Sequence, residues 1–111
     1  MVGTTRWTVE VIPAAEREIN ALPDDLQGKF LHVAGLLQEF GPARVGLPHV
    51  RPLGGKLWEM RMAGQNRIAR ALYFAASGRR LVVVRVFVKK TQKFPRREID
   101  LAERRMEQQH G

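Results

Sequence analysis

The chain contains no cysteine, which excludes disulfides, thiol nucleophiles and the thiolate ligands of most structural zinc sites. A chain without cysteine fits a reducing compartment. Long apolar runs are missing too. No stretch approaches the ~18 residues that a membrane span needs, and Met1-Val2-Gly3-Thr4-Thr5-Arg6-Trp7 lacks the apolar segment of a secretory signal. Acidic residues are in deficit: Asp+Glu 11 against Lys+Arg 19 gives a formal net charge of +8 and a pI near 11.1. That balance points to nucleic acid or another acidic partner. A length of 111 residues supports one domain, spanning the whole chain, with one modest core. No repeat, low-complexity tract or linker divides it. The expectation is a soluble, cytoplasmic, single-domain protein with no membrane association.

The order of elements follows from hydrophobic period. Trp7, Val9 and Val11 alternate with Thr8 and Glu10, as in a half-buried strand. Pro13 suits the first turn of a short helix, Ala14–Leu22. Asp24 is placed as the N-cap of a second helix with Gln27 three residues on, and Leu26, Phe30, Val33, Leu37 and Phe40 form its apolar stripe. Gly41-Pro42 stops that helix. Ala43 to Gly55, punctuated by Gly46, Pro48, Pro52 and Gly54, reads as a loop. Three strands follow, Leu57–Met62, Ile68–Ala76 and Leu81–Lys89, joined by hairpin-length turns at Ala63-Gly64-Gln65-Asn66 and Ser77-Gly78-Arg79. From Pro95 the period is helical again, with Ile99, Ala102 and Met106 on one side. The order β-α-α-β-β-β-α predicts an α+β fold, an antiparallel sheet with its helices on one face.

The three strands carry an unusual load of cations. Lys56, Arg61, Arg67, Arg70, Arg85, Lys89, Lys90 and Lys93 all fall on or beside them. Cations gathered on one small sheet repel one another unless something anionic sits there, and a polyphosphate backbone is the natural candidate. Glu59 is the only acid inside these strands.

Three separated motifs carry a family likeness. They are Lys56-Leu57-Trp58-Glu59-Met60-Arg61, Arg67-Ile68-Ala69-Arg70-Ala71-Leu72-Tyr73-Phe74, and Phe87-Val88-Lys89-Lys90-Thr91-Gln92-Lys93 ahead of Pro95 and Arg97-Glu98-Ile99. In this order they resemble the HigB-like branch of the RelE toxin superfamily, a branch also found as phage-derived proteins. The likeness covers roughly Val50 to Met106. It implies the RelE-like fold and the toxin of a type II toxin–antitoxin module, silenced by an antitoxin that is commonly a helix-turn-helix, HigA-like protein. It also implies an mRNA endoribonuclease that acts on the ribosome and needs neither metal nor cofactor. In such enzymes the RNA's own 2′-hydroxyl attacks the adjacent phosphate. Carried over residue by residue, Arg70 looks like the phosphate-stabilising arginine, Lys89 and Lys90 like the cationic pair that ends the last strand, and Arg61 and Arg67 like members of the basic cluster. Relatives commonly carry Thr or Ser just before the proline of the last helix. Here that position is Phe94, and the helix forgoes a hydroxyl N-cap worth roughly 1 kcal/mol.

Each of these residues also has a plainer reading. Preorganised Arg and Lys suit the charge of a phosphorane, and removal of one such donor typically costs on the order of 10²–10³ in rate. The base that takes the 2′ proton is Lys89, Lys90 or Glu59, and the plainer role of Glu59 is a salt bridge that holds Arg61 or Arg70. Alternation places Ile68, Arg70, Leu72 and Phe74 on one face, with Arg67 and Tyr73 on the other. Pattern alone therefore favours Arg67 on the open side, the resemblance favours Arg70, and a bulge near Asn66 would reverse the pattern. Arg85 among valines either opens onto the RNA or pairs with Glu59. Tyr73 either stacks on a base or fills the core. Lys56, Arg61, Arg85, Lys93 and Tyr73 complete the expected RNA contacts. Of the histidines only His49 lies near enough in sequence to matter, and local packing or exposure is the expectation for His32, His49 and His110.

Overall fold

The computed structural model describes residues 6–90 and 95–109. The elements run β1 (Thr8–Val11), α1 (Pro13–Asn20), α2 (Asp24–Val45), β2 (Val50–Gly54), β3 (Leu57–Ala63), β4 (Ile68–Ala76), β5 (Arg80–Val88) and α3 (Arg96–Gln108). The five strands form one sheet in the order β1-β5-β4-β3-β2. The α+β class and the order of elements are those expected, with one strand more.

That strand, β2, lies in the segment read as a loop. Pro52 and Gly54 argue against a central strand. At a sheet edge, however, the missing N–H of a proline faces outward and costs the ladder nothing. Val50 pairs with Met60, Arg51 with Glu59 and Pro52 with Trp58. Gly54 (φ 104°) and Gly55 (φ 56°) then take the left-handed conformations that turn β2 into β3. The sheet is also mixed rather than antiparallel: β1 runs parallel to β5, Thr8 beside Arg80 and Val11 beside Val83. A strand that opens the chain and pairs with the last one can take either direction, because the intervening helices and strands supply the crossover.

Register separates two faces of the sheet. Glu59, Arg61, Arg70, Leu72, Phe74, Arg85 and Phe87 share the front, while Met60, Met62, Ala69, Ala71, Tyr73 and Val86 share the rear. Helix α2 packs along β3, β2 and β1 with Leu26, Phe30, Val33 and Leu37 buried. Phe40, at the end of the expected stripe, is 40% exposed with the Arg44 guanidinium 5.5 Å from its ring centre. The helix breaks at Gly41 (φ 80°), where a Cβ would stand 2.6 Å from Trp7 Nε1. Its N-cap is Pro23, with no side-chain cap bond; Gln27 Nε2 instead donates back to the Leu22 carbonyl at 2.8 Å.

Helix α3 lies on the front. Its Glu98 meets Arg85 at 2.6 Å, and Gln109 beyond its end shares a cleft with Phe74 and Val82. The expectation of helices on one face is therefore corrected. Leu72, Phe74 and Val82 are buried on the front of β4 and β5, and an apolar surface there needs a cover of its own. Helix α3 spans that end and leaves the front of β2, β3 and the far end of β4 open. The helix forms without a side-chain cap, anchored instead by tertiary ion pairs.

Those pairs also finish the sheet. Strand β1 covers β5 only as far as Val83. Beyond it, Val86 N–H donates to Glu18 Oε1 at 3.0 Å and the Val84 carbonyl accepts from Arg105 at 2.9 Å. Side chains of α1 and α3 thus close an edge that a bare strand would leave unpaired.

Candidate functional site

The open part of the front face is built on three neighbouring strands. Arg51 of β2, Glu59 and Arg61 of β3, and Arg70 of β4 stand side by side because residues paired across a ladder project on the same face. Glu59 is 3% exposed and Arg70 9%. Glu59 Oε1 accepts from Arg51 Nε at 2.8 Å, and Glu59 Oε2 lies 2.7 Å from a terminal guanidinium nitrogen of Arg70. The second contact is a close ion pair without hydrogen-bond alignment, so Glu59 Oε2 and Arg70 Nε both keep unused hydrogen-bonding capacity among the described residues. One carboxylate therefore steadies two guanidiniums, as in the plainer reading of Glu59, though its second partner is Arg51 and not Arg61.

Two clefts meet at Arg70. The first, about 370 Å³, is lined by Leu47, Pro48, His49, Arg51, Glu59 and Arg61. The second, about 500 Å³, is lined by Phe87, Lys89 and Lys90 together with Arg85, Glu18 and Glu98. Lys89 N–H donates to the Ile68 carbonyl at 2.7 Å, so the β4–β5 ladder reaches far enough to carry both lysines to the rim. Arg61, exposed, stands directly across from Arg70. Two like charges in that position repel, and one adjacent carboxylate leaves the group strongly cationic. Such a surface is made to receive an anion. Among the described residues no three metal-ligating side chains gather.

Several expected site residues lie elsewhere. Tyr73 is fully buried on the rear face, its ring stacked on Trp58 at 6.3 Å. Burial pushes its hydroxyl well above the ordinary tyrosine range. It is a core residue and meets no RNA base. Arg85 does not pair with Glu59: its guanidinium binds Glu18 at 2.6 Å and Glu98 at 2.6 Å. These ion pairs raise its pKa against the desolvation that opposes them. Both partners sit on helices that the sheet pattern could not place. Lys56 belongs to the β2–β3 turn and shares a cleft with Glu10, Phe74 and Arg80 at the opposite end of the sheet from Arg70. Arg67 is in the β3–β4 hairpin loop, exposed, three residues before Arg70. Alternation had placed Arg67 on the open side because the large apolar residues beside Arg70 were expected to face helices. Only their end of the front face is covered, so Arg70 is the arginine of the open cleft. The register shift between β4 and β5 falls at Leu72/Tyr73, where Val84 of β5 is the extra residue, and not near Asn66. Lys93 lies outside the described residues.

One contributor, Arg51, went unrecognised in the sequence, and His49, the only histidine read as near enough to matter, does reach the site. Arg51 was hidden by the loop reading of Pro52 and Gly54. Folding the chain back at Gly54-Gly55 would have set it opposite Glu59, an acid–base pair. His49 lies at the rim of the Arg70 cleft; its carbonyl accepts the Arg61 N–H at 2.8 Å and its ring meets His32 edge-on at 6.2 Å.

An α+β domain with a mixed five-stranded sheet and three helices is compatible with the RelE-like fold. The sequence model of the phage-derived Gp49-like proteins (DUF891) matches residues 17–107, from within α1 to the last turn of α3. The chain belongs to this phage-derived Gp49-like family of toxin-like proteins. No curated protein matches it. No helix among the described residues is long and apolar enough to cross a membrane.

Proposed function

We propose that this protein is the toxin of a type II toxin–antitoxin module and an mRNA endoribonuclease that works on the ribosome. Membership of the Gp49-like family suggests the toxin role. The observation that carries the enzymatic reading is the cleft at Arg70. There a nearly buried guanidinium, fixed by Glu59, faces the junction of two clefts whose rims carry Arg51, Arg61, Lys89 and Lys90.

In this reading the scissile phosphate sits over Arg70. The 2′-oxygen attacks phosphorus, the bond to the 5′-oxygen breaks, and the products are a 2′,3′-cyclic phosphate and a 5′-hydroxyl. Arg70 and Arg61 hold the non-bridging oxygens as charge builds in the phosphorane, a role in which fixed donors work best in a site partly shielded from water. Glu59, engaged with Arg51 and Arg70, positions Arg70. The lysines at the rim, Lys89 and Lys90, are the groups that move protons to or from the bridging oxygens. The partner that silences the site is a helix-turn-helix antitoxin.

Translation of a short mRNA on purified ribosomes, with new 5′ ends mapped by primer extension, tests this reading. Wild type is expected to produce cuts in the A-site codon and Arg70→Ala to produce none. Intact mRNA with folded protein bound to the ribosome would overturn the enzyme and leave a binding protein.

A further inference from the structure

Lys89 and Lys90 also border a third cleft, which the proposed reaction does not use. It measures about 570 Å³ and is lined also by Gly64, Gln65, Asn66 and Arg67 of the β3–β4 hairpin. Three cations face this space and no carboxylate lines it. Arg67 stands three residues from the start of the Arg70 cleft, roughly 10 Å at ~3.3 Å per strand residue. Arg67 lines this cleft and neither of the two that meet at Arg70, and Arg70 does not line this one.

The loop that carries Arg67 is held in place. Gly64 N–H donates to the Arg67 carbonyl at 2.9 Å, and Gln65 N–H donates to Asp25 Oδ2 at 3.1 Å. A Cβ on Gly64 would collide with the Asp25 carboxylate and with Leu26, so the hairpin sits tightly on the start of α2. The Asp25 charge also attracts Arg67, which borders a cleft with Asp24 and Asp25 on its other side. Asp25 thus places the loop and its guanidinium while leaving the lysine-lined cleft free of acid.

We propose that this cleft is a second phosphate subsite, in which Arg67 grips a phosphate flanking the cleaved one in single-stranded RNA, with Lys89 and Lys90 on the wall shared with the Arg70 cleft. The proposal rests on the RNA-cleaving reading of the Arg70 site. It makes Arg67 a substrate-binding residue and not a catalytic one, and Asp25 a positioning residue.

The test is binding of a short, uncleavable 2′-O-methyl RNA and of the matching dinucleotide, followed by fluorescence anisotropy across a salt series. Arg67→Ala is expected to weaken the longer RNA about 5-fold at 0.1 M salt and to flatten the salt slope by about 0.7, the signature of one lost phosphate contact. Dinucleotide binding is expected to stay unchanged. Arg67→Lys is expected to retain the slope, and Lys29→Ala, which removes a charge from the exposed face of α2, to alter neither quantity. Asp25→Ala is expected to weaken binding although it removes a negative charge; tighter binding would overturn its positioning role. Wild-type slope and affinity in Arg67→Ala, with binding lost in Arg70→Ala, would overturn the subsite and leave the Arg70 site standing. A wild type with no salt-dependent RNA binding would overturn the subsite, and cleavage on the ribosome then decides the Arg70 reading on its own.

Discussion

Two groups of arginines share the front of the sheet, and they are built differently. Around Arg85 two guanidiniums, Arg85 and Arg105, meet two carboxylates, Glu18 and Glu98, at 2.6–3.0 Å. Charge is balanced there, and the bonds run between α1, β5 and α3. Around Arg70 three guanidiniums gather beside one carboxylate, which contacts only two of them, Arg51 and Arg70, with Lys89 and Lys90 close by. The first group is a clasp that satisfies itself. The second is incomplete without an anion. Counting cations along β4 and β5 could not separate them, because the acids that neutralise Arg85 come from helices distant in sequence.

The largest effect expected from breaking this contrast is at Arg70. Arg70→Ala is expected to lower ribosome-dependent cleavage by on the order of 10²–10³ or more. It also leaves Glu59 in the interior with the half-exposed Arg51 as its one remaining partner, and loss of one partner of a buried pair costs up to about 3–5 kcal/mol. The double variant Arg70→Met/Glu59→Leu removes both charges. It is expected to recover most of that stability in urea unfolding while cleavage stays lost; recovered cleavage would show that the pair is only structural.

Arg85→Ala should behave in the opposite way. The Arg85 side chain is 21% exposed and its partners 19% and 26%, so water screens part of the interaction. The expected loss is about 2–3 kcal/mol, below the range for fully buried pairs. Cleavage per folded molecule is expected to be unchanged. An equal fall in cleavage and stability would place Arg85 in the site after all.

What the sequence disclosed and what it hid divide along the same line. Local signals held: Pro13 opened a helix, Ser77-Gly78-Arg79 turned a hairpin, and the Leu26-Phe30-Val33-Leu37 stripe was buried. The motifs also singled out Arg70, Lys89 and Lys90, which the fold brings to one cleft. Long-range pairings stayed hidden. An edge strand with Pro52 looks like a loop, the parallel β1–β5 pairing joins residues about seventy apart, and whether Arg85 is free depends on Glu18 and Glu98. Tyr73 shows the limit of alternation, which assigned its face without saying which face was wet. Tyr73→Phe makes that concrete. The buried hydroxyl has no hydrogen-bond partner among the described residues, and removing such a group is expected to leave stability equal or raise it by up to about 1 kcal/mol. Cleavage should be unaffected; lost cleavage in a stable Tyr73→Phe would return the hydroxyl to the chemistry.

The smallest expected effect is at a third, exposed ion contact, which belongs to neither group. Asp25 holds the hairpin loop through the Gln65 N–H, and that bond, more than the nearby Arg67 charge, keeps its carboxyl below the ordinary 3.8. A carboxyl depressed by folding stabilises the fold at pH values above 3.8, and the contribution disappears as pH falls through the lowered value. Asp25→Asn keeps the shape and gives up the charge. Wild type is therefore expected to unfold at slightly higher urea near neutrality, and the two midpoints should converge as the solution is acidified below 3.8. A gap that persists in acid would mean that the contact depends on geometry alone. Asp25 would then act on the loop in the same way whether or not it is charged, unlike Glu59, whose hold on Arg51 and Arg70 is a matter of charge.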